Sequence, residues 1–330
     1  RQGKIVQDIF TVAKTTALFG LIVVGFLFDR NAAAISQNFS HLWDGQWLHM
    51  SGGIIQSVEP LAGLMLVAAI GVSMVGSLFS SDAWNNITFT ASEVISPKRN
   101  IPLSLALGTG TVTLLYILAN VAYLLALPLT GNPGGQNVLE HGIQFAANDR
   151  VATAAISTLA GAPAVIIMAV FIMVSTFGCA NGLILAGARV YYAMAKDGLF
   201  FKSAGTLNTK SVPAMALVAQ TVWACALCLS GTYNELLDYV IFAVLIFYIL
   251  TIGGIFILRK KRPNAERPYK AFGYPVIPAL YIVLAIAICV DLLIFKPNYT
   301  WPGLVIVLLG VPVYFVWKAK TKLIPPAPFS

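Results

Sequence analysis

The sequence is short of charge. Asp, Glu, Lys and Arg together make up only 10% of its 330 residues, where a soluble globular domain carries about 25%. That shortage excludes a soluble enzyme, a disordered chain and a charge-laced coiled coil. Cysteine is scarce as well. Four residues (Cys179, Cys225, Cys228 and Cys289) are too few for a disulfide scaffold. All four lie in apolar stretches and read as small packing residues. Cys225 and Cys228 form a CxxC pair, but no second pair or His lies near them, so zinc is a weak reading. The sequence has no phosphate loop, no HExxH and no nucleophile elbow. It therefore gives no ground for an enzyme, a metal or a cofactor. It also lacks an initiator Met and a signal peptide. It opens at Arg1 just before an apolar stretch and reads as part of a longer protein.

What the sequence has instead is apolar length. Apolar residues make up 58% of the chain. Eight stretches reach the roughly 20 residues that a bilayer crossing needs. They are Ile9–Leu27, Leu61–Phe79, Leu103–Leu127, Ala162–Tyr191, Val212–Ser230, Leu236–Leu258, Val276–Phe295 and Trp301–Trp317. Backbone groups in hydrocarbon must be satisfied within the segment, so these are helices. The alternation of a membrane barrel is absent from the sequence. The expected fold class is an all-α polytopic membrane protein with eight transmembrane helices and both termini cytoplasmic. With the N-terminus inside, seventeen of the 21 Lys and Arg fall on the inner side, three (Arg30, Arg150, Lys296) outside, and Lys14 within a span. This is the positive-inside bias, and it explains the net charge of +8 without nucleic acid. The whole chain, 1–330, reads as a single transmembrane domain. Residues 29–60 and 130–160 are extracytoplasmic loops, the second with a Gly/Pro turn and one or two short helices. Residues 259–275 form a basic cytoplasmic loop and 318–330 a cytoplasmic tail. Asn38-Phe39-Ser40 and Asn298-Tyr299-Thr300 match the glycosylation tripeptide, a short motif of little weight by itself.

Polar residues at membrane depth are costly, so each needs an account. Lys14 lies about one and a half turns into the first span. It either snorkels to the interface or points a buried ammonium into the bundle, where it replaces a metal cation or gives up a proton. The run Gly76-Ser77-Leu78-Phe79-Ser80-Ser81-Asp82-Ala83-Trp84-Asn85-Asn86 interrupts a long helical pattern. Its Ser, Asp and Asn side chains compete with the helix ladder. A discontinuous helix there, resuming over Ala83–Val94, is the better reading, and an ordinary loop after Phe79 is the plainer one. Transporters use such breaks to hold charged groups of a substrate. In Ser175-Thr176-Phe177-Gly178-Cys179-Ala180-Asn181-Gly182, the small residues read as packing glue, while Ser175 and Thr176 are candidates to line an ion or cation-surrogate site. Glu93, just before Pro97-Lys98-Arg99, is a candidate for a cytoplasmic gate or cap. Asp291 falls at the outer end of its span, as an interface residue.

These residues resemble the amino acid–polyamine–organocation transporters, most of all the L-type amino acid transporter branch. Four stretches carry the likeness. They are Val6–Lys14; Asp82–Asn85 through Glu93–Pro102; Phe177–Gly182 with Ala188-Arg189; and Arg259–Pro278 around Arg267-Pro268-Tyr269-Lys270. The resemblance implies a leucine-transporter fold of two inverted five-helix repeats plus two trailing helices. On that map the chain covers helices five to twelve and lacks the first four, which hold half of the pocket. The implied function is secondary active amino-acid transport by alternating access at the plasma or inner membrane, as a sodium-independent exchanger or a proton-coupled permease. The alternative is a transport-inactive sensor or assembly subunit that keeps the fold. The substrate site would comprise Phe79 as aromatic lid, the unwound Ser80, Ser81 and Asp82, and Trp84 and Asn85. Lys14, near Ser175 and Thr176, would stand in for a sodium ion, with Asp82 a second candidate for proton coupling. Glu93 and Arg189 would form the cytoplasmic gate. Asp82 departs from the Gly of many L-type members. It caps the next half-helix, binds the substrate amine, favours a cationic side chain or carries a proton, with capping the foremost reading. The implied partners are an amino-acid substrate, lipid and protons. Some animal members pair with a single-span subunit, but the resemblance is closer to bacterial members, which need none.

Overall fold

The computed structural model describes residues 2–28, 30–40, 44–209, 212–229, 233–267 and 270–321, without the side chains of 2–7, 90, 92, 93, 233–235, 299, 320 and 321. In chain order come α1 (Gln2–Leu27), α2 (Ala32–Ser40), β1 (Gln46–Ser51), β2 (Ile54–Pro60), α3 (Gly63–Ser80), a 3-10 helix (Asn86–Glu93) and α4 (Pro97–Ala126). They are followed by α5 (Val138–His141), α6 (Val151–Lys196), α7 (Ala214–Cys228), α8 (Tyr233–Lys261), α9 (Val276–Phe295) and α10 (Pro297–Thr321).

Seven of these helices are long and apolar enough to cross a membrane: α1, α3, α4, α6, α8, α9 and α10. The eighth expected span, Val212–Ser230, is represented by α7, whose 15 residues rise about 22 Å at 1.5 Å each. That falls short of a hydrocarbon core of about 30 Å, so among the described residues seven helices, where eight spans were expected, reach full length. Ile9, Val67, Leu107, Val222 and Val283 are all more than 60% exposed. In water such faces would be a liability, whereas in a bilayer they meet their own kind. The long segment 29–60, expected as a loop, holds more order than that. After α2, β1 and β2 pair antiparallel from Gln46 opposite Pro60 to Ser51 opposite Ile54.

The chain divides into two compact units, residues 1–66 with 106–183 and residues 67–105 with 184–330. In the first unit, Leu21, Ala122, Ile156 and Met168 form a buried cluster, and Ala126, Leu127 and Ala155 another. Gly25 packs on Ala122 so closely that a Cβ at Gly25 would lie 2.7 Å from the alanine's own, the close helix approach that small residues permit. Asn38, 2% exposed, fastens α2 to the end of α4. Its amide donates to the carbonyls of Leu124 (2.8 Å) and Leu127 (2.9 Å), and its oxygen accepts from the Leu129 N–H (2.6 Å). Asn38 is thus a structural staple rather than a glycosylation acceptor. Gly161, at φ 71° and ψ −170°, divides α6 into two arms. The left-handed φ suits glycine, and Pro163 follows in the first turn of the longer arm.

In the second unit, Val75, Ile241, Phe242, Leu245, Ala285, Cys289 and Leu292 form the main core. Asp238, 6% exposed, accepts from Lys296 at 2.9 Å through both oxygens. The Thr300 hydroxyl, on a residue 1% exposed, donates to the carbonyls of Lys296 (2.7 Å) and Leu292 (3.1 Å). The second glycosylation tripeptide is therefore built into the joint between α9 and α10. In the basic loop, Arg267 donates to the carbonyls of Arg262, Pro263 and Ala265, Lys98 pairs with Glu266 at 2.6 Å, and Arg259 lies 3.6 Å above the Tyr274 ring. Asp291 is not a simple interface residue. Its Oδ2 is enclosed, has no hydrogen-bond partner among the described residues, and faces the bare backbone of Gly71.

Candidate substrate site at the helix break

The helix α3 stops where its side chains begin to compete for its carbonyls. The Ser77 carbonyl accepts from the Ser81 N–H (3.1 Å), the Ser80 hydroxyl (3.0 Å) and the Ser81 hydroxyl (2.8 Å). Such back-bonding offers the chain an alternative to the α ladder. The next bond is of the tighter 3-10 kind, from the Asp82 N–H to the Phe79 carbonyl (3.1 Å). Ala83 then sits at φ 63°, a left-handed conformation that costs an L-residue roughly 1–2 kcal/mol. The segment resumes as a 3-10 helix over Asn86–Glu93, not as the expected α half-helix. Thr88 shows why. Its N–H and hydroxyl both bond the Asn85 carbonyl, at 2.9 and 2.7 Å, which favours the i→i+3 pattern. Ser96, at φ 49°, closes the segment before Pro97 opens α4.

The break carries most of the expected substrate residues. Phe79 is 37% exposed at the last turn of α3. Ser80 and Ser81 are exposed, with their hydroxyl protons given to the Ser77 carbonyl. Asp82 is half-buried and accepts from the Tyr248 hydroxyl through Oδ1 at 2.6 Å. That hydroxyl also lies 3.3 Å from Asn85 Oδ1, and the Tyr248 ring tilts against Trp84 at 6.2 Å between centroids. Asp82 is thus engaged by a side chain of α8 rather than acting as the expected cap. The N-cap of the 3-10 helix is Asn85, whose side chain makes no capping bond. Tyr248 was missed in the sequence. Its one signal there is a phenol in the middle of the apolar run of α8, which costs hydration unless the hydroxyl finds a partner.

A second candidate region lies in the other unit. Lys14, half-buried, lines a cavity of about 360 Å³ together with Thr15, Tyr116, Ser175 and Cys179 among mostly apolar neighbours. Ser175 therefore shares a cavity with Lys14. Thr176 does not line it, and its hydroxyl donates to the Ile172 carbonyl at 2.8 Å on its own helix. Among the described residues no carboxylate pairs with Lys14. Gly178 lets α6 close on α1, since a Cβ there would lie 2.6 Å from that of Phe10. Arg189 is half-buried in α6. The Glu93 side chain, its expected gate partner, lies outside the described residues.

A family model described as amino acid permease matches residues 1–315. The chain belongs to the amino acid permease family. Among curated proteins, the chain is 28% identical over 319 residues to b(0,+)-type amino acid transporter 1 of Homo sapiens, covering 96% of this chain and 58% of that protein. It is 29% identical over 323 residues to Large neutral amino acids transporter small subunit 2 of Homo sapiens, covering 96% of this chain and 54% of that one. The chain thus spans somewhat more than half the length of the relatives it matches. Membership accounts for the helical, multi-pass architecture.

Proposed function

We propose that this permease is a secondary active amino-acid transporter of the plasma membrane that works by alternating access and holds its substrate at residues 79–85. The observation that carries the reading is the break itself. Between the end of α3 at Ser80 and the 3-10 helix at Asn86, an apolar segment presents a helix C-terminus, a carboxylate and a helix start together. The carbonyl end of α3 and Asp82 attract an ammonium group. The N–H end of the following helix attracts a carboxylate. A zwitterionic amino acid needs both, and discontinuous helices supply both at membrane depth. Phe79 closes over the side chain, with Trp84 and Asn85 completing the near wall.

Lys14 serves as a fixed cation in its cavity beside Ser175, so that no sodium ion is required. Transport is then exchange or proton-coupled uptake, and no single-span partner is needed. The test is uptake of radiolabelled L-leucine and L-lysine by the purified full-length protein in liposomes, without sodium. Saturable uptake driven by internal amino acid marks an exchanger, and uptake driven by an inward proton gradient marks a symporter. Flux no greater than that of empty liposomes, across a panel of the common amino acids, would overturn the reading.

A further inference from the structure

From the contacts of its hydroxyl, we infer that Tyr248 is a specificity-determining residue, which sets how strongly Asp82 attracts a cationic substrate side chain. The inference rests on the placing of the substrate at residues 79–85. A phenol carries one proton to donate. At 2.6 Å that proton goes to Asp82 Oδ1, and Asn85 Oδ1, at 3.3 Å, is the lesser contact. A bond to an ionised acceptor is short and about twice as strong as a neutral one. It holds one carboxylate oxygen and draws off part of the charge that a substrate ammonium or guanidinium would feel. The packing role is separable from this one. The Tyr248 ring lies against Trp84, and a phenylalanine would supply that contact equally well. Among the described residues, the hydroxyl is what bonds α8 to the charge at the break.

The geometry gives the effect a direction. Without the donor, both oxygens of Asp82 are open to a cation. A hydrogen bond to a charged group is worth enough that its loss shifts a competing equilibrium roughly tenfold. A stronger donor shifts it the other way.

The experiment measures kcat/KM for L-lysine and L-leucine with the full-length protein in liposomes and follows their ratio. Tyr248→Phe is expected to raise the lysine-to-leucine ratio roughly tenfold. Incorporation of 3-fluorotyrosine at position 248, a more acidic phenol of nearly the same size, is expected to lower it. Because Tyr248 acts through Asp82, the double variant Tyr248→Phe with Asp82→Asn should match Asp82→Asn alone. A ratio in Tyr248→Phe that stays level or falls, or a double variant that differs from Asp82→Asn, overturns the inference. If Tyr248→Phe does not reach the membrane, the fluorinated protein decides, and an unchanged or raised ratio there overturns it. Asp82→Asn by itself separates the two levels. If it alters neither substrate's KM, the placing of the substrate at the break has failed. If it alters the ratio while the Tyr248 replacements do not, only the role of Tyr248 has failed.

Discussion

Lys14 and Asp82 each place an ionisable group at or beside an apolar helix, and the chain treats them differently. Asp82 is held, with its Oδ1 on the Tyr248 hydroxyl and Trp84 tilted against the same ring. Lys14 faces a cavity of about 360 Å³ with Ser175, Tyr116 and Cys179 on its walls, and no carboxylate among the described residues pairs with it. A charge away from water is tolerated when it is paired or when it has work to do. The bond at the break keeps an unwound segment in one shape, as a binding surface requires. The cavity around Lys14 leaves a cation with room beside it, as a coupling site requires. On the function proposed above, the first region would serve recognition and the second a change of charge or occupancy.

The largest expected effect tests the Lys14 side of that contrast. Lys14→Ala in the full-length protein should abolish uptake in liposomes while the amount of folded protein is unchanged, and normal flux would reduce Lys14 to an interface residue. Next comes the recognition side. Phe79→Ala should raise the KM for L-leucine by at least tenfold, the cost of about 1.4 kcal/mol of lost contact, and Phe79→Trp should raise it far less. Equal effects would make Phe79 a packing residue.

The contrast also extends to stability. Asn38→Ala would strip partners from two carbonyls and one N–H. Since each buried orphan costs on the order of 1–3 kcal/mol, we expect a loss of about 3 kcal/mol in thermal unfolding of the detergent-solubilised protein. An unchanged melting temperature would show that α2 does not depend on this staple. The smallest effect concerns the exception in the second unit, where Asp291 leaves Oδ2 enclosed and unbonded against Gly71. Asp291→Asn should raise stability by about 1 kcal/mol by removing an uncompensated charge. A fall instead would mean that the carboxylate has a partner in the membrane, and the two regions would then differ less than they do here.

Much of this was legible along the chain. The break was found because Ser80, Ser81, Asp82, Asn85 and Asn86 stand together in an apolar run, and competition for helix carbonyls is local. The kind of helix beyond the break was not, since the choice between α and 3-10 depended on how Thr88 and its neighbours bonded their own turn. Ser175 and Thr176, adjacent in sequence, differ by about a hundred degrees around α6. Only one of them reached the Lys14 cavity. The structural use of Asn38 and Thr300 was not legible for a related reason, because they spend their hydrogen bonds on distant or preceding carbonyls.

The sequence by itself determined that this is a multi-pass helical membrane protein, where its spans lie, and where one of them fails. These follow from apolar length and short-range competition for hydrogen bonds, which act within a few turns. Only the tertiary structure decided that Tyr248 would meet Asp82 across 166 residues, that Asn38 would fasten α2 to α4, and that Asp291 would face Gly71. Such pairings are set by how helices pack side by side, where small residues permit close approach, and no local pattern in the chain encodes them.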